Sequence, residues 1–165
     1  MSRSAIIFFV VLAVISAHGT AQATVRVEPI DFQGPRPLEE KTQAEAIREY
    51  LKAWKTASAA LEQNSIDLLD RDFVGTARDE LAQAIQEQAA LGDHTLYQDK
   101  SHDIQIIFYS PEGLSIELTD NVQYDIQFVA HDKVQIARPV QARYVVVSTP
   151  TEMRWKVRVL QAQRE

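Results

Sequence analysis

An α+β fold, with helices packed on the apolar face of a mainly antiparallel sheet, is predicted by three observations. Helical periodicity fills the middle of the chain as far as Leu91, Gly92 interrupts it, and from there the period is two almost to the C-terminus. The first helix is marked by Ile47, Leu51, Trp54 and Leu61, spaced four, three and seven apart, with Glu45, Arg48, Lys52 and Lys55 turned elsewhere. Thr42 and Glu45 form a capping box that starts it. Ser65 to Leu69 reads as a short second helix capped by serine, and Thr76 with Asp79 as the start of a third. Leu81, Ala84, Ile85 and Ala89 are the buried stripe of that third helix, which Gly92 ends in a left-handed conformation.

Four extended segments follow. His102 to Tyr109 is rich in isoleucine and aromatic residues, and Ser110-Pro-Glu-Gly113 turns the chain. On the return, Ile116, Leu118, Asp120, Val122, Tyr124, Ile126 and Phe128 occupy one face and polar residues the other. A tight connection at His131-Asp132 leads into Val134 to Val147, where Pro139 requires an edge or a bulge. The last strand places Met153, Trp155, Val157 and Val159 inward against Arg154, Lys156 and Arg158 outward.

Ahead of these elements, Arg3 precedes an apolar run from Ala5 to Ala17, and a polar stretch ends in Ala21-Gln22-Ala23. Charged start, short apolar middle and small-x-small end are the three parts of a secretory signal, with cleavage expected between Ala23 and Thr24. An uncleaved anchor would need about 20 apolar residues, more than this run supplies. The mature protein is therefore expected outside the cytoplasm, in a periplasm or beyond the cell. Thr24 to Lys41, with Pro29, Gly34, Pro35 and Pro37, opposes helix and central strand and reads as a tether or an ordered arm. The domain itself is expected to span 42–165.

The formal charge of −6 argues against nucleic acid as a partner. Without cysteine there is no disulfide framework, no lipid-carrying cysteine and no thiol chemistry. Gly-rich phosphate loops and nucleophile motifs are absent as well, and no cofactor is implied. His102 and Asp103, adjacent on a strand, point to opposite faces, and with His94, Asp93 and the turn residue His131 they do not assemble a metal site.

Asp120 breaks the apolar face of its strand. A carboxylate buried there would have its pKa raised and suit a general base; alternatively Asp120-Asn121 forms a bulge or turn that swings the side chain to solvent. Tyr50, Trp54, Tyr124, Tyr144 and Trp155 either line a pocket for an apolar ligand or serve as core, the tyrosine hydroxyls still needing partners.

The long helix with Trp54, the short helix, the Phe73-Val-Gly75 link, and four strands ending in Ala142-Arg-Tyr144-Val-Val-Val and Arg154-Trp155-Lys156-Val157 resemble the nuclear transport factor 2-like superfamily over about Thr42 to Leu160. The resemblance implies three helices on a curved, mainly antiparallel four-stranded sheet that forms a cone, often around an apolar pocket. Its enzymatic branches, such as ketosteroid isomerase and scytalone dehydratase, usually carry an extra strand between the second and third helices, where this chain has only Asp70 to Gly75. That departure implies the exported or membrane-tethered branches that bind partners, including periplasmic components of secretion systems. Self-association through the open sheet face is common in the superfamily, so a homodimer is a further expectation. The leading expectation is a non-catalytic domain for a partner protein or small apolar ligand; the alternative is an isomerase, dehydratase or hydrolase with Asp120 as base and Tyr124 as hydrogen-bond donor.

Overall fold

The computed structural model describes residues 22–30 and 34–163, so all but the last two residues of the expected signal segment lie outside the described residues. Five strands, rather than four, form a single sheet in the order β1 (Thr24–Val27), β2 (Asp93–Tyr109), β3 (Ile116–Ala130), β4 (Lys133–Pro150) and β5 (Trp155–Ala162). Strands β2 to β5 are an antiparallel meander, whereas β1 runs parallel to β2 at the edge, Val25 beside His102 and Val27 beside Ile104. The extra strand comes from the segment read as a tether or arm. Only four residues long and followed by prolines, it carries too short an alternation to stand out locally.

Two long helices, not three, cover the concave face: α1 (Glu40–Gln63) and α2 (Gly75–Leu91). The expected short helix is a 3-10 segment, Ile66–Arg71. It cannot lengthen, because the chain leaves it to pair with β5. Phe73 bridges to Val157, Val74 N–H donates to the Val157 carbonyl (3.0 Å), and Val157 N–H donates to the Asp72 carbonyl (2.9 Å). The capping box at Thr42 lies inside α1, whose backbone starts earlier at Glu39, with the acidic Glu40 in the first turn; Thr76 likewise falls inside α2. Asn64 (φ 52°) and Gly92 (φ 74°) close the two helices in the left-handed region, Gly92 as its position required.

The core lies between α1 and the concave face. Ala46, Tyr50, Ala53, Ala57 and Ala60 of α1 meet Ile104, Ile106, Leu118, Val122, Val146 and Val157, all buried. Small residues on the helix stripe let its backbone approach the sheet closely. His131 (φ 51°) and Asp132 (φ 60°) form the two-residue turn that joins β3 to β4, with His131 in solvent. Met153, expected inward, is exposed in the turn before β5.

Strand β4 continues through Pro139 instead of breaking there. β5 pairs β4 only from Tyr144 to Pro150, so Lys133 to Arg143 is an edge. The Arg143 carbonyl accepts from Gln163 on the side away from β3 (2.7 Å). The pairing with β3 is regular from Arg143 to Pro139, four residues back, so the proline nitrogen faces the same open side. Pro139 thus costs no ladder bond and removes a donor from a free edge that would otherwise recruit another strand.

Candidate functional site

Asp120 is fully buried in an unbroken stretch of β3, with Ile104 and Tyr144 as its cross-strand neighbours. There is no bulge or turn at Asp120-Asn121, so the side chain points into the cone. Each of its oxygens is occupied. Oδ2 accepts from the Tyr50 hydroxyl (2.7 Å) and meets His102 Nδ1 (2.6 Å), and Oδ1 accepts from the Asp103 backbone N–H (3.0 Å).

His102 carries the network onward. Its side chain is 3% exposed, and its Nε2 faces Asp99 Oδ2 at 3.9 Å, while the Trp54 indole N–H donates to Asp99 Oδ1 (2.7 Å). Burial opposes charge on the imidazole, but the hydrogen bond to Asp120 and the negative charges of Asp120 and Asp99 outweigh it, and the pKa is pushed up to about 9. At neutral pH His102 is a cation between two carboxylates, edge-on to Trp54 at 5.4 Å. For Asp99 burial would raise the pKa, yet the nearby His102 and the hydrogen bond from Trp54 prevail and lower it. Burial, then the neighbouring Asp120, drives the Tyr50 phenol well above its ordinary range, so it stays a donor.

Asp99 and His102 reach the same side through one extra residue. Three apart, they would face opposite ways on a regular strand, but the pairing slips between Asp99, opposite Tyr124, and Ser101, opposite Gln123, leaving Lys100 unpaired as a bulge. The phase of β2 is reset at that point. Asp103, one residue beyond His102, points outward and is held by Arg26 (2.7 and 3.1 Å), as opposite faces require.

Of the five aromatic candidates, four surround this network. Trp54 lies against Tyr124 and Tyr144 (5.9 and 5.2 Å between centroids), and the Tyr124 and Tyr144 hydroxyls are 3.2 Å apart. Tyr50 belongs to it through Asp120. Trp155 stands apart at the start of β5, packed against another part of the core. Tyr97, Asp99 and His102 are members that the sequence reading did not select. For Tyr97 and Asp99 the signal was hidden, because strict alternation counted back from His102 turns both outward.

Beside Trp54, Tyr97 and Tyr144 a partly open cavity of about 150 Å³ is closed by Leu61, Leu81 and Leu160. Asp120 does not line it. A second, larger hollow of about 510 Å³ lies outside the cone, between α1 and β1. Asp72, also buried, accepts from Thr56, Arg71 (2.9 Å) and Arg154 (3.3 Å) and ties α1, the 3-10 segment and the turn before β5 together. Among the described residues no group of three acidic or histidine side chains is placed to hold a metal ion, and no helix is long and apolar enough to cross a membrane.

No family profile and no curated protein matches the sequence. Solved structures do. The intermembrane space region of the chloroplast protein ARC6 superposes with a TM-score of 0.64 at 15% identity, covering 78% of this chain and 100% of that one. A protein named as a candidate scytalone dehydratase from Novosphingobium aromaticivorans gives 0.54 at 14% identity, covering 76% and 89%. The Kfla4162 protein from Kribbella flavida gives 0.52 at 10%, covering 73% and 91%. The chain therefore shares the α+β fold of these solved structures, consistent with the nuclear transport factor 2-like architecture that the sequence led us to expect. At these identities the likeness defines the fold, which is shared by binding domains and enzymes alike.

Proposed function

We propose that this protein is a non-catalytic, extracytoplasmic domain that binds a partner protein. The observation that carries the reading is the filled interior: both Asp120 oxygens are engaged within the protein, Asp120 does not line the cavity near it, and that cavity, about 150 Å³, falls short of the roughly 300 Å³ at which ligand sites begin. A general base needs a free lone pair aimed at substrate, and a histidine held as a cation by two carboxylates is not a base at neutral pH. Export is supported by the signal-like segment, whose expected cleavage point immediately precedes β1. A membrane-associated assembly or a second copy of the chain belongs to the same class of partner.

The alternative, a pocket enzyme, is favoured by the inward carboxylate and by the paired Tyr124 and Tyr144 hydroxyls beside the cavity. It is tested together with the first reading. A photo-crosslinking side chain at Leu51, on the outer hollow, is expected to trap a partner of defined mass in the host, whereas one at Leu81, on the inner cavity, traps none. Turnover of a small enolisable or hydroxylated compound by the wild type, lost in a folded Asp120→Asn protein, would overturn the proposal.

A further inference from the structure

The outer hollow has a specific composition. Val27, Ile47 and Leu51 form an apolar floor, and Arg48, Lys52 and Lys55 stand in one stripe along α1 beside it. Their spacing of four and three residues keeps them on one side of the helix. Glu49 offsets part of that charge, accepting from Lys52 (2.8 Å) and Arg48 (3.4 Å), and Glu40 sits at one end of the hollow. Lys55 makes no ion pair among the described residues. In a chain of net charge −6, a stripe of three cations over an apolar floor is a local reversal of sign.

The opposite wall is the outermost strand. β1 is bonded to β2 on one side only, and no strand of the described residues pairs its other edge. Val25 and Val27, beside the inward-facing His102 and Ile104, continue the concave face beyond the core and are each 43% exposed. Arg26, between them, is turned to the convex side and occupied by Asp103 and Glu28. An unpaired strand edge offers backbone donors and acceptors to an extended peptide, and the adjoining hollow offers pockets to alternate side chains.

We infer that the hollow between α1 and β1 is a docking groove for an extended peptide segment of a partner protein, one in which apolar and acidic side chains occur together. This rests on the partner-binding reading above. The segment adds a strand at the edge of β1, its apolar side chains reach Val27, Ile47 and Leu51, and its carboxylates reach the stripe on α1. Same-side residues of a strand are about 6.7 Å apart, and the cations stand about 6 and 4.5 Å apart along the helix axis, within the reach of lysine and arginine side chains.

The test uses two acetylated ten-residue peptides, one with leucine, glutamate, glutamate, leucine and valine in turn at its odd positions and threonine at its even ones, so that apolar and acidic side chains share a face, and one with lysine in place of glutamate, titrated into the purified protein and followed by backbone amide NMR. The glutamate peptide is expected to shift the amides of Thr24 to Val27 and Ile47 to Lys55. Its affinity should fall about tenfold in the exposed double variant Lys52→Glu with Lys55→Glu, which should in turn gain affinity for the lysine peptide. Equal binding of both peptides, shifts elsewhere, no binding, or self-association at the same residues would each overturn the assignment. A natural partner trapped at Leu51 but indifferent to the double variant would leave the partner-binding reading standing and remove this one.

Discussion

Replacing Asp120 by alanine is expected to lower folding stability by about 3–5 kcal/mol, the range for breaking a buried ion pair by removing one partner. The loss arises from what is left behind. His102, 3% exposed, would lose its nearest carboxylate and with it the main influence that holds its proton against burial, and the Tyr50 hydroxyl and the Asp103 N–H would lose their acceptor inside the protein. Asp120→Asn keeps the shape and an acceptor oxygen but removes the charge, and should fall between wild type and alanine. Urea unfolding with an unchanged slope is the measurement. A loss below about 1 kcal/mol for the alanine variant, the scale of an ordinary exposed pair, would show that the network is not holding the cone shut.

Stability should also decline as pH rises from neutrality, against the usual expectation of a broad plateau there. The imidazole is raised from 6.5 to about 9, so its contribution is fully present below 6.5 and disappears as pH climbs through about 9. The size is about 3 kcal/mol, from a shift of between two and three pKa units. Asp99 works at the other end: its pKa is depressed, so what it adds is present above the ordinary carboxylate range near 3.8 and is lost as pH falls through its lower folded value. The maximum consequently lies between about 4 and 6.5. His102→Gln should flatten the slope between 6.5 and 9, and direct NMR titration of the ring should give a midpoint well above 6.5. A midpoint at or below 6.5 would refute the charged triad.

The two halves of the fold were unequally legible. The switch of period at Gly92, the turn at His131-Asp132 and the inward run of β3 are properties of neighbouring residues; the first two hold in the structure, and the third holds from Ile116 to Ile126, after which a register shift leaves Phe128 37% exposed and turns Val129 inward. What sequence reading missed depends on distant partners or on a change of phase. Strand β1 finds its mate 77 positions away in β2, with Val25 beside His102, and nothing in Thr24 to Val27 signals it. The start of α1 at Glu40 lies ahead of the capping box at Thr42; its first turn holds no buried residue and no side-chain cap, and nothing in the structure explains the earlier start. Asp120 was legible as an anomaly, but its meaning was not. Only the Lys100 bulge, invisible to an alternating count, brings Asp99 and His102 to the side on which Asp120 waits.

The parallel pairing of β1 also orders events in time. Every other strand in the sheet meets its sequence neighbour across a short connection, so those contacts close at low entropic cost; β1 must wait until the intervening helices and β2 are in place. The strand that joins last is held by one neighbour alone and is the first to leave in partial opening, which faster amide exchange over Thr24–Val27 than over Ile116–Val122 would report. In the proposed docking groove, a wall held by one neighbour alone would part from α1 at less cost than the inner strands of the meander, whose pairing on both sides and polar lock stay closed.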